Sequence, residues 1–333
     1  MIRNQRLSHR DVSPILGYLI LGAFTYVVYG SALIAAIGTG WIVAVVIALI
    51  LVGITAELFL DWRHDRAPRT LERRFEIPTD PLSFVSVLAG TVLTYFLSVD
   101  VGLGAVVASA LVGVVAAAVV KAYAAPVFCG SFVGMAAAEV LSFGTVALAG
   151  VFAGIVFVVA KDVLNGYGGK LGTIAFAGSF AAASAVGLPL TTGIVPVWDV
   201  GRLLLAYCAA GAFVTFLLNE NFENGPVMAS GIVGLAAGLL LPVAHGPELG
   251  GFLAVGVFAA SFAGMSGSSR FDRAAWMIPA GAVCALALMY SMPYMGGAGG
   301  KLGTIGFGAV LGIHGLARWV EGAATARNRR RAT

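Results

Sequence analysis

Long apolar runs separated by short polar breaks fill nearly the whole chain. A membrane-crossing helix needs about 20 apolar residues. Twelve windows approach that length: roughly 14–36, 41–60, 82–98, 103–120, 124–142, 144–160, 171–188, 202–218, 226–243, 250–266, 274–291 and 302–320. They predict an all-α polytopic membrane protein with about 12 transmembrane segments. The one sizeable polar stretch, residues 61–80, reads as a basic linker. It follows an N-terminal tail and two-helix hairpin (1–60) and precedes ten further helices. A basic tail, 321–333, closes the chain.

The ten helices carry an internal repeat. Gly168-Gly169-Lys170-Leu171-Gly172-Thr173-Ile174 recurs as Gly299-Gly300-Lys301-Leu302-Gly303-Thr304-Ile305. Ser131-Phe132-x-Gly134-Met135 recurs as Ser261-Phe262-x-Gly264-Met265, and Ala108-Ser109 with Gly113 as Ala229-Ser230 with Gly234. Residues 81–188 and 189–320 therefore read as two copies of one unit, with an insertion near His245 to Gly250 expected in an external loop. Five spans per copy is an odd number, so the second copy inverts relative to the first. Inverted-topology repeats are a common plan among transporters, with sites at the interface of the copies near the midplane. The plan is similar to that of proteins with paired five-helix inverted repeats, such as the urea-transporter class. The similarity is one of plan, and no residue is carried over from it.

Lys and Arg set the orientation. With the N-terminus in the cytoplasm, the arginines from Arg63 to Arg74, Lys121, Lys161, Lys170, Arg270, Arg273 and the tail arginines fall inside, and only Arg202 and Lys301 fall outside. That one-sidedness is the positive-inside pattern of a multi-pass plasma-membrane protein with both termini cytoplasmic. No cleavable signal is expected.

Composition agrees. Of 333 residues, 59% are apolar and 11% charged, against roughly 25% charged in an ordinary soluble domain. The mean hydropathy is +0.94. The 45 glycines suit close helix packing in lipid. Cys129, Cys208 and Cys284 fall in apolar runs without metal-ligand spacing and read as small buried hydrophobes. Neither a metal nor a cofactor is expected, and no nucleic-acid interaction. The expected partners are the lipid bilayer and a small solute; a homo-oligomer stays open.

The candidate chemistry lies in the repeated segments. Gly168, Gly169, Lys170 and Thr173, and their counterparts Gly299, Gly300, Lys301 and Thr304, each lead into a helix N-terminus. Free backbone N–H groups, the helix dipole and a lysine there attract anions or polar solutes. The two loops read as vestibules, one on each membrane face; the alternative is a tight turn with a snorkelling lysine. Lys170 and Lys301 are followed by leucine, so neither loop is a P-loop. Ser131 and Ser261 sit within predicted spans, either lining a path or merely packed. Glu139 and His314, and Glu57 with Asp61, are ionisable residues near span ends, which makes them functional hypotheses.

The reading is a membrane channel or transporter for a small polar or anionic solute, with its path between the two repeats. One alternative is a non-transporting subunit or scaffold that docks partners through the hairpin and basic linker. Another is an intramembrane serine hydrolase built on Gly264-Met265-Ser266-Gly267 and His314. The repeat explains the first of those motifs without catalysis, so an enzyme is not expected.

Overall fold

The computed structural model describes residues 13–63, 79–187 and 198–332. Most of the basic linker (64–78), the N-terminal basic cluster and the side chains of the basic tail lie outside the described residues. Within them the chain is all-helical, with no β-strand. Twelve α-helices follow in order: α1 (Ser13–Thr39), α2 (Trp41–Arg63), α3 (Thr79–Tyr95), α4 (Ala105–Val119), α5 (Ala124–Gly134), α6 (Phe143–Ala160), α7 (Lys170–Ala185), α8 (Trp198–Phe216), α9 (Pro226–His245), α10 (Pro247–Gly264), α11 (Met277–Ser291) and α12 (Lys301–Ala332).

Eight of the described helices are long and apolar enough to cross a membrane: α1, α2, α3, α6, α8, α9, α10 and α11, some with their flanking turns. The other four of the expected twelve differ for identifiable reasons. α4, α5 and α7 have only 15, 11 and 16 residues. α12 is long but carries Lys301, His314, Arg318 and a charged C-terminal half. α5 stops at Gly134 rather than near 142, because Gly134 lies hard against the α3 backbone and the chain then turns. Ser142 caps α6 by accepting from Thr145 N–H at 3.4 Å. Glu139 therefore sits exposed in an interhelical turn and not within a span.

The two segments that share sequence also share local geometry. α3 ends in a π-helical turn, Phe96–Asp100, and α8 in another at the equivalent place, Leu217–Asn221. α3 packs on α5 and α6 as α8 packs on α10 and α11, while α4 lies against α9. The expected external loop near His245 to Gly250 is instead helix. α9 has 20 residues where α4 has 15, and α10 has 18 where α5 has 11. A single residue, Gly246, joins α9 to α10 at φ 83 and ψ 160, a conformation essentially confined to glycine. Pro247 then occupies the first helical position, where its missing N–H is no loss.

The N-terminal hairpin packs on the rest. α1 touches α6, α7, α11 and α12, and α2 lies along α12. Tyr29 donates its hydroxyl to the Ile305 carbonyl at 2.7 Å. Small residues bring α2 and α12 backbone to backbone: a methyl on Gly53 would run into the Gly312 carbonyl and lie 2.8 Å from Leu316 Cγ. Gly30 of α1 has open space at the same test. Gly53→Ala is therefore expected to lose about 1–3 kcal/mol through overpacking. Gly30→Ala should be neutral or more stable by up to about 1 kcal/mol. Thermal unfolding in detergent checks the pair: equal midpoints for the two variants would refute the packing.

Candidate functional site

The repeated Gly-Gly-Lys loops start α7 and α12. Gly169 and Gly300 adopt φ +81 and +86, which lets each chain turn into its helix. Each loop then passes so close to the other helix that no side chain fits. A methyl on Gly169 would collide with the Gly303 carbonyl, and one on Gly300 with Phe176 N. Gly172 and Gly303 touch at their Cα atoms. α7 and α12 therefore cross at their first turns. Loops on opposite faces of a hydrocarbon core about 30 Å thick could not touch. Lys170 and Lys301, expected on opposite faces, instead start helices whose first turns lie against each other.

The lysines have defined work at that crossing. Lys170 donates to the carbonyls of Lys161 at 2.8 Å and Val163 at 3.0 Å, and to the Asn165 side chain. Lys301 donates to the carbonyls of Ser291 and Tyr294, each at 2.6 Å. Each ammonium satisfies carbonyls orphaned at the end of the preceding helix, α6 or α11. Thr304 donates weakly to Gly300 O at 3.4 Å. Thr173 Oγ1 is buried with no hydrogen-bond partner among the described residues.

Ser131 and Ser261 are fully buried, and their hydroxyls are already engaged. Ser131 pairs with Ser109 at 2.9 Å and donates to Phe128 O at 2.8 Å. Ser261 pairs with Ser230 at 2.8 Å and donates to Phe258 O at 2.7 Å. These bonds tie α5 to α4 and α10 to α9. The residues beside them are the unexpected finding. Phe128 and Phe132 on α5 meet Phe258 and Phe262 on α10 in one four-ring cluster. Phe132 and Phe262 lie 4.6 Å apart, centroid to centroid, and all four rings are at most 1% exposed. The i, i+4 spacing on each helix puts both rings on one face.

Two cavities of similar size adjoin the loops. One, about 270 Å³, is lined by residues 296–303 with Met135, Phe132 and Phe262. The other, about 260 Å³, is lined by residues 166–171 with Met265, Asn219 and Glu220. Met135 and Met265 are repeat equivalents, as are the loops. The linings differ in polarity: the first is walled by Val106, Val255, Leu288 and Met292, while the second holds a carboxylate.

A buried ionic cluster lies behind the first loop. Glu57 and Asp61 share a face of α2, and His314 and Arg318 a face of α12, each pair at i, i+4. Glu57 accepts from the Tyr167 hydroxyl at 2.5 Å, from Arg318 at 2.8 Å and from His314 Nδ1 at 2.9 Å. Arg270, from the α10–α11 connection, lies 3.3 Å from Asp61, donates to Tyr167 Oη at 3.1 Å and to Asn165 O at 3.0 Å, and stacks 4.1 Å over the Tyr167 ring. Glu57, Asp61 and Arg270 are all but inaccessible. The cluster borders a polar cavity of about 760 Å³ lined by Arg270, His314, Arg318 and Glu321. Tyr167, Arg270 and Arg318 escaped sequence reasoning as site residues, although Arg318 follows His314 at helical spacing. Glu139 takes no part in any of these sites.

The hydrolase pairing does not assemble. Ser266 donates to Ala263 O at 2.8 Å and accepts from Gly168 N–H at 3.0 Å. His314 is held by Tyr167 and Glu57, and no hydrogen bond joins it to Ser266. Among the described residues no group of His, Cys, Asp and Glu is placed to hold a metal ion. No protein-family model matches the chain, and no curated protein or solved structure matches it either.

Proposed function

We propose that the chain is a membrane channel or transporter for a small polar or anionic solute. Its path runs between two inverted five-helix repeats in a twelve-span plan with both termini cytoplasmic. The observation that carries this reading is the pair of cavities, each lined by one Gly-Gly-Lys loop, the first of them also walled by Phe132 and Phe262 of the four-ring cluster. A duplicated unit that encloses equivalent cavities is the geometry expected of a route entered from two sides. Interlocked rings suit a hydrophobic constriction, which blocks passage by excluding water. The four shorter or more polar helices, α4, α5, α7 and α12, are those that build the crossing and the cavities. Irregular or short helices are tolerated at membrane depth where protein or a cavity surrounds them.

The test is solute flux into proteoliposomes holding the full chain, followed by stopped-flow light scattering with a small neutral amide and a short-chain carboxylate. Entry faster than in protein-free vesicles is expected, as is its loss in Met135→Trp, which fills the first cavity. Failure of every solute to enter faster than in protein-free vesicles overturns the reading. The non-transporting scaffold would then stand, favoured by one observation: Lys170 and both serine pairs spend their hydrogen bonds within the protein.

A further inference from the structure

The hydrogen bonds of the ionic cluster leave one ring nitrogen over. His314 Nδ1 lies 2.9 Å from Glu57 Oε2 and 2.8 Å from Tyr167 Oη. A ring nitrogen this close to a carboxylate carries its hydrogen, so Nδ1 is the donor and the lone pair of the neutral ring sits on Nε2. Nε2 has no hydrogen-bond partner among the described residues, and it is not one of the side-chain atoms sealed from solvent. The ring is 16% exposed and lines the polar cavity of about 760 Å³. That cavity has room for water beside a basic atom.

A ring buried for structure alone would have both nitrogens engaged. Nor is this ring needed as a counter-charge. The carboxylates of Glu57 and Asp61 on α2 already meet the guanidiniums of Arg270 and Arg318. The other ionisable groups around it are Tyr167 of the α6–α7 loop, Tyr18 of α1, and Asp272, Arg273 and Glu321 along the cavity wall.

A second observation ties this ring to a cavity. Tyr167 donates to Glu57, accepts from Arg270, and lines the 260 Å³ cavity that holds Glu220. The other copy has nothing equivalent: Ala298 stands for Tyr167, Val140 for Arg270 and Ala183 for His314.

We infer that the Glu57–His314 pair is a proton-binding site linked to the Glu220 cavity. A proton from water in the polar cavity adds to Nε2 while Nδ1–H stays on Glu57, and release returns it to the same water. The added charge tightens the ring on Glu57 and competes with Arg318, which at 31% exposed can turn to water. Tyr167 is bonded to the same carboxylate and carries the change to the cavity wall. Whatever binds in that cavity must then alter proton binding in return. As the coupling ion of transport, the proton rests on the transport reading; as a ligand of the pair, it does not.

The experiment is NMR of the full chain in detergent, with 15N-labelled histidine and 13C-labelled tyrosine rings, from pH 8 to pH 5. Signals missing from His314→Gln and from Tyr167→Phe identify the two rings. His314 is expected to hold its hydrogen on Nδ1 at pH 8 and to gain Nε2–H on acidification, with the Tyr167 signal moving in step. Glu57→Gln should bind the proton about tenfold or more less tightly. Should that variant fail to fold, the wild-type titration decides. A hydrogen on Nε2 at pH 8, no proton gained by pH 5, or a Tyr167 signal that stays put overturns the assignment. Acetamide, which carries no charge of its own, is then followed into proteoliposomes at both pH values. Its entry should differ about fivefold or more between them in the wild type and be equal in His314→Gln. Equal acetamide entry in the wild type overturns the link to the cavity. Rings that titrate in step, with no solute entering faster than in protein-free vesicles, sustain the proton site while removing the transport reading.

Discussion

Exchanging Phe132 and Phe262 together for alanine is expected to raise solute flux through reconstituted protein by about tenfold or more. A tenfold change corresponds to roughly 1.4 kcal/mol off the barrier. The two ring centroids lie 4.6 Å apart with the planes tilted by 56°, and both rings border the Lys301 cavity. Removing them deletes the centre of the four-ring cluster and joins its space to that cavity. The gap would hold water, and a hydrophobic constriction that wets ceases to block. A buried Phe→Ala change also costs about 3–5 kcal/mol of stability, so the milder Phe132→Leu with Phe262→Leu accompanies it as a folded control. It should give an intermediate flux. The measurement is stopped-flow light scattering at matched protein density. An unchanged rate in a folded double variant would place the rings off the path.

Glu57→Leu is expected to remove about 3–5 kcal/mol of stability, the usual result of taking one partner from a buried ion group. Glu57 is fully buried and accepts from Tyr167, His314 and Arg318 at once. Without it the buried Arg270 faces a low-dielectric interior with Asp61 left to offset it, and Arg318 loses its carboxylate. Arg318→Met should cost far less, because its side chain is 31% exposed and water already shares its charge. Thermal unfolding of the three proteins in one detergent decides the matter. Comparable losses for Glu57→Leu and Arg318→Met would mean that the carboxylate is not the hub. A combined Glu57→Leu and Arg318→Met variant should recover part of the loss, since it strands one arginine fewer.

Much of the helix inventory is legible from apolar runs alone, because a run such as Trp41–Arg63 has few ways to satisfy its backbone in lipid except as a helix. Helix ends are less legible. α5 ends early at Gly134 because of a neighbouring backbone, a tertiary fact that no run length encodes. The extra residues before Gly250 read as a loop, yet they extend α9 and α10 on either side of Gly246. The repeated Gly-Gly-Lys-Leu-Gly-Thr segment marks the right place, but the reason for its glycines is the mutual approach of Gly172 and Gly303, visible only once both helices are placed. The Ser-Phe-x-Gly-Met motif also pointed to the right helices. Its serines attracted notice as polar residues, whereas Phe132 and Phe262, one position on, line the cavity. Glu57, Asp61 and His314 were conspicuous singly. Their meeting with Tyr167 and Arg270 depends on two loops, whose course apolar periodicity does not report.

The ionic cluster also makes the ends of the duplicated unit mechanically unequal. The first loop is bolted down: Gly166 accepts from Gly267 N–H, Asn165 from Arg270, and Tyr167 is clasped between Arg270 and Glu57. In the second copy Ala298, Val140 and Ala136 stand where Tyr167, Arg270 and Ser266 stand in the first. Of those fastenings only the Ala137 N–H to Gly297 carbonyl bond survives. Any displacement of the first loop must tear several charged bonds and loosen α2 with it. Displacing the second breaks one neutral bond there and the two that Lys301 donates to the Ser291 and Tyr294 carbonyls, so one loop is a rigid anvil and the other a compliant spring.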